Sequence, residues 1–166
     1  MVNVDDQAAP GDLERIRTLL NTWLIPNDTR VATDRFRGNA VVRELRDDLR
    51  RVVEGTAPAD HILNTWVRRL DVTPHIANGS VHFRGNGSAG RLVAIVVAAM
   101  ADGTWSRLRA CPDCHWAFYD HTRNGSKRWC LMTAGGPSGR SCGSIAKVRA
   151  HRERERAHRE EARQST

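Results

Sequence analysis

Apolar residues recur at three- and four-residue intervals along three stretches of the first 70 positions, and each stretch predicts a helix with one face turned to a core. Leu13, Ile16, Leu19, Leu20 and Trp23 form the first stripe, introduced by Pro10, Gly11 and Asp12 and stopped at Pro26-Asn27-Asp28. The second spans residues 40–54, with Val41, Leu45, Leu49, Val52 and Val53 inward, Arg43, Arg46, Asp47 and Arg50 outward, and Gly55 closing it. The third opens at Pro58 and Asp60, carries Ile62, Leu63, Trp66, Val67 and Leu70, and breaks at Asp71 and Pro74. Asn78-Gly79 then separates 74–77 from 80–84, and that pair supplies the two positive φ angles of a two-residue hairpin turn. Residues 91–100 are apolar on nearly every side, which predicts a helix buried at the middle of the N-terminal part.

Beyond residue 103 the pattern changes. His115 to Tyr119 alternates as a strand does, a second short strand is expected to end at Cys130, and Cys142-Gly143 opens a long helical stretch. The fold class is therefore α+β: a mostly helical N-terminal domain with a short β-hairpin over 1–103, then a small module over 104–166 ending in a basic helix. Charge divides the same way, because 26 Lys+Arg face 19 Asp+Glu over the 166 residues, yet the first 104 are balanced and the whole excess of +7 lies in 105–166. That asymmetry points the C-terminal segment toward a polyanion. The longest apolar run, 92–100, is far short of the ~20 residues of a spanning helix, and residues 2–11 have no hydrophobic leader, so a cytosolic location is expected.

All four cysteines lie in the basic segment. Cys111-Pro112-Asp113-Cys114 is a C-x2-C knuckle, which lets two thiolates from one turn reach a single ion with Zn–S bonds of ~2.3 Å. Cys130 and Cys142 complete four ligands, a closed tetrahedral shell of the structural kind with no open position for chemistry on the metal. One structural Zn2+ is the cofactor expected. His115, His121 or His151 replacing a thiolate, or an oxidised pair of disulfides, are the less favoured arrangements. The order knuckle, hairpin, helix-borne ligand is treble-clef-like. Five of the nine aromatics (Trp105, Trp116, Phe118, Tyr119, Trp129) cluster around it and read first as a mini-core, second as base-stacking platforms.

Gly85-Asn86-Gly87-Ser88-Ala89-Gly90 has the G-x-G-x-x-G form, but the return strand and distal acid of a dinucleotide site are missing, so it reads as a flexible turn feeding a helix. The seven histidines are scattered and none stands in a nucleophile or H-E-x-x-H context, so an enzyme is not expected. Around the proposed metal, Arg123, Asn124, Lys127 and Arg128 precede Cys130, and Lys147, Arg149 and Arg152 follow Cys142. Lys and Arg on such a scaffold neutralise phosphates, while Arg and Asn can also read base edges, and these seven are the candidate DNA contacts. Past Glu153 the pairs Arg149/Glu153, Glu155/Arg159 and Arg156/Glu160 have the spacing of a self-supporting solvated helix, and a solvated face and a contact surface stay equally open there.

Cys111-Pro-Asp-Cys114, Thr122-Arg123-Asn124, Lys127-Arg128-Trp129-Cys130 and Cys142-Gly143 resemble the CGNR zinc-finger family, and Leu20-Asn21-Thr22-Trp23-Leu24-Ile25-Pro26-Asn27-Asp28 is similar to the ABATE domain that precedes such fingers. The resemblance implies a bacterial transcription regulator with a DNA-binding finger and a sensory N-terminal domain. The chain departs from the pattern with Ser144-Ile145 where the family has Asn-Arg, and with a Gly/Pro/Ser-rich insertion over 135–141. Ile145 is then expected to pack inward, leaving Lys147 and Arg149 to compensate. Double-stranded DNA is the partner expected, against an acidic protein surface of the transcription apparatus, or RNA, as alternatives.

Overall fold

A computed structural model describes residues 7–26, 29–131 and 141–164, with side chains described up to residue 160. Four helices build the core: α1 (Leu13–Leu20), α2 (Ala40–Val53), α3 (Ala59–Arg69) and α4 (Gly87–Ala101), with α4 lying against the other three. Its Val93 and Val96 are fully buried beside Ile16 and Leu20 of α1, Leu45 and Leu49 of α2, and Trp66 of α3. A helix apolar on most sides is stable only where neighbours cover it from several directions, which is why α4 occupies the centre.

Among the described residues there are also three two-stranded antiparallel ladders: β1 (Trp23–Leu24) with β2 (Thr33–Asp34), β3 (Thr73–Ala77) with β4 (Ser80–Arg84), and β5 (Leu108–Ala110) with β6 (Ala117–Tyr119). The β3–β4 turn has Asn78 at φ 49° and Gly79 at φ 71°, the left-handed pair that the Asn-Gly signal requires. A final helix, α5 (Cys142–Gln164), carries the C-terminal basic segment.

Three local expectations need correction. Helix α1 stops at Leu20 and Trp23 enters β1 opposite Asp34, because Asn21 turns away to bond Ala117, with its Nδ2 donating at 2.8 Å and its Oδ1 accepting at 2.7 Å. On α2 the inward stripe includes Val42 rather than Val41, and Arg46 and Arg50 lie inside, 2% and 8% exposed. Arg46 clamps both Asp34 oxygens at 2.7 and 3.0 Å, while Arg50 donates to the Leu20 and Trp23 carbonyls at 2.9 and 3.1 Å. Guanidiniums can be drawn inward where carbonyls at a helix end and a carboxylate satisfy their donors. Among the described residues no strand leads into Cys130; β6 pairs instead with β5 across the knuckle.

One apolar cluster crosses residue 103, since Leu108, Ala117 and Tyr119 are buried with the side chains of α1 to α4. A second cluster holds the four cysteines and Phe118, flanked by Trp116, Trp129 and Leu131. The five C-terminal aromatics thus divide between two cores. Gly85 and Gly90 explain their own motif: a Cβ on Gly90 would come within 2.4 Å of the Gly85 carbonyl carbon, so the glycines let the turn and α4 touch.

Candidate metal centre and basic surface

The knuckle is the turn between β5 and β6. Cys111 N–H donates to the Trp116 carbonyl at 2.9 Å and His115 N–H to the Cys111 carbonyl at 2.8 Å, while His115 takes a left-handed φ of 60° to close the turn. Cys130 arrives from the following loop. Cys142 sits in the first turn of α5, where Ser141 and Ser144 cap the helix reciprocally: Ser144 N–H donates to Ser141 Oγ at 3.1 Å and Ser141 N–H to Ser144 Oγ at 3.1 Å. Ser144, one of the two departures from the family pattern, therefore fixes the start of the helix that presents Cys142. Ile145 is half-buried, and most of the 135–141 insertion lies outside the described residues.

The four sulfurs lie within 4.8 Å of one another, all buried. Cys114 and Cys130 Sγ are 3.4 Å apart and Cys130 and Cys142 Sγ 3.7 Å, far beyond the ~2.05 Å of a disulfide. Zn–S bonds of ~2.3 Å in a tetrahedron put sulfurs about 3.8 Å apart, so the residues present fit one structural zinc ion. The three histidines weighed as replacements point elsewhere: His115 to Glu54 at 3.2 Å, His121 to the Ala8 carbonyl at 2.7 Å, His151 to Glu155 at 3.5 Å. Packed together, the thiols contend for protons. Contacts with Cys111 and Cys114, with burial, push the Cys130 and Cys142 thiols up, so the quartet cannot all ionise without a cation.

The N-terminal part grips this centre through backbone. Gln7 Nε2 donates to the Cys130 carbonyl at 3.0 Å while its Oε1 accepts from the Trp116 indole at 3.0 Å. Ile25 N–H donates to the Cys114 carbonyl at 3.3 Å, and Arg30 meets the Asp113 carboxylate at 3.2 Å. Arg50 joins Glu54 at 2.7 Å and lies 4.2 Å from the Trp23 ring, beside His115. Sequence reasoning missed these residues because hydrogen bonds to carbonyls carry no motif.

The basic loop before Cys130 is organised around Asp120, which is fully buried. Its carboxylate accepts from Thr122 N–H at 2.9 Å, Thr122 Oγ1 at 2.6 Å and Lys127 N–H at 2.8 Å. Although burial raises its pKa, those bonds and the Arg109 charge outweigh it and hold the carboxyl below its ordinary value. Arg107 donates to the Asp120 and Thr122 carbonyls at 3.0 and 2.7 Å, and Arg109 to the Gly125 carbonyl at 2.8 Å. On the loop so fixed, Arg123, Asn124 and Arg128 are exposed, and Lys127 is half-buried with its ammonium 5.5 Å from the Phe118 ring. Lys147, Arg149 and Arg152 are exposed on α5, away from the core. The loop trio thus lies between Cys114 and Cys130 and the helix trio after Cys142, and among the described residues only the loop trio is held, by bonds from Arg107 and Arg109.

Among the described residues, no helix is long and apolar enough to cross a membrane. Residues 107–155 match the family model of the CGNR zinc finger, a span that takes in β5, the knuckle, the Asp120 loop and the first half of α5. No curated protein matches the chain.

Proposed function

With a CGNR zinc finger at residues 107–155, we propose that this protein binds double-stranded DNA as a regulator of transcription, in a non-catalytic role. The observation that carries the reading is the Asp120-centred loop: Arg123, Asn124 and Arg128 stand exposed on a segment whose backbone is tied to Arg107, Arg109 and Asp120. Flexible cationic side chains on a fixed backbone are the arrangement that phosphate contact and base-edge reading both use. Zinc, when bound by Cys111, Cys114, Cys130 and Cys142, supplies a cross-link between the knuckle, this loop and α5. Asp120, Arg107 and Arg109 keep the loop in shape, Lys127 lies over Phe118, and the excess of +7 in the C-terminal segment draws the polyanion. The ABATE likeness supports a sensory role for the helical part, transmitted through the contacts of Gln7 with Cys130, Asn21 with Ala117 and Arg50 with His115.

A titration of labelled duplex DNA by fluorescence anisotropy tests this. Affinity should fall steeply with salt, and Arg123→Glu with Arg128→Glu should weaken binding at least ~100-fold at low salt. Binding indifferent to both salt and charge reversal, or stronger binding to an acidic peptide than to duplex, overturns the reading. Stronger binding to single-stranded RNA would move it to the aromatic alternative, against which Trp116 already stands engaged by Gln7.

A further inference from the structure

Helix α5 is 23 residues long, yet every described residue from 147 to 160 is exposed, so that stretch contributes nothing to either core. Within it Arg149, Arg152, Arg156 and Arg159 are spaced three, four and three apart. At 3.6 residues per turn these four fall in an arc about 80° wide and rise roughly 15 Å along the axis. Lys147 and Arg154 lie on the opposite side of the same helix.

None of the four guanidiniums has a hydrogen-bond or ion-pair partner among the described residues, although acids border the arc. The i,i+4 pairs Arg149/Glu153, Glu155/Arg159 and Arg156/Glu160 do not close there, and Glu155 turns to His151, 3.5 Å away. Like charges one turn apart oppose the helix that carries them, and an outside anion along the row relieves them. Resting on the DNA-binding reading above, we infer that this arginine row, and not the Lys147 side of α5, is the surface that follows the phosphates of duplex DNA.

The dimensions agree. A helix with its side chains is about 10–12 Å across and the major groove about 12 Å wide. A duplex carries one charge per ~1.7 Å of axis, so a 15 Å row passes about nine phosphate charges. A protein partner fits worse, since Val148 is the one large apolar side chain exposed on the described part of α5, and protein interfaces centre on apolar anchors. The row extends the contact to Arg156 and Arg159, and it moves the helix contact away from Lys147.

The test uses the zinc-loaded full chain and a labelled duplex of about 20 base pairs, titrated from 50 to 200 mM salt. Arg152→Gln/Arg156→Gln/Arg159→Gln should flatten the dependence of log affinity on log salt by about three units, near 0.9 per lost phosphate contact. The Lys triple variant should restore it, and Lys147→Gln/Arg154→Gln should shift it by less than one unit. Gln and Lys are strong helix formers, so far-UV circular dichroism and zinc content should match the parent. Equal loss per charge from the two faces, or no loss from the arginine row while Arg123→Glu/Arg128→Glu abolishes binding, overturns the row and leaves the finger reading standing. A parent protein that binds no duplex overturns both.

Discussion

Arg46 shows how far a single side chain can depart from its pattern. It sits at an outward position of an amphipathic repeat, yet only 2% of it is exposed and its guanidinium is locked on Asp34 beside the Phe36 ring. Bonds from Arg46 and the Phe36 N–H hold the Asp34 carboxyl well below the usual carboxylate range. A carboxylate so depressed adds stability that is present above its unfolded value and is lost as the pH falls through the folded one. Asp34→Asn should therefore cost about 2 kcal/mol at pH 7, the scale of a charged hydrogen bond, and the gap from the parent should begin to narrow below about pH 4 and keep shrinking as the pH falls toward the depressed folded value. Denaturant titrations of both proteins across that range check it, and a gap independent of pH would contradict the clamp.

At the scale of elements, close approach decides more than propensity. Replacing a helical glycine by alanine ordinarily gains up to about 1 kcal/mol. Gly90→Ala should do the reverse, because the new Cβ meets the Gly85 backbone at 2.4 Å, and a loss of about 2 kcal/mol is expected in chemical denaturation from such overpacking. A stabilised variant would show that α4 and its entry turn can part freely. The same logic governs the finger. Its hairpin forms from β5 and β6 because the Asp120 carboxylate draws the Thr122 and Lys127 amides into a loop, which removes them from any ladder leading to Cys130.

For the whole molecule the consequence is coupling between the metal and the helical part. Leu108, Ala117 and Tyr119 belong to the main apolar cluster, and Gln7, Asn21, Ile25 and Arg50 bond the backbone around the cysteines. Structural zinc contributes folding free energy outright. Chelation at neutral pH should thus lower the melting temperature of the entire chain by at least about 10 °C, with helix signal and tryptophan environment lost in one transition. Helices that melt at the same temperature with and without metal would refute the coupling.

The sequence alone determined what depends on neighbours along the chain. The four amphipathic or buried helices, the Asn78-Gly79 hairpin and the quartet Cys111, Cys114, Cys130 and Cys142 are all written in spacing, because helix period, turn chemistry and ligand distance are local properties. Tertiary structure decided what depends on partners far away in the chain. Arg46 and Arg50 turned inward, Asn21 capped its helix with its side chain on Ala117, and Asp120 became the buried hub of the basic loop, each because an unpaired carbonyl, amide or carboxylate needed a match that no local pattern announces.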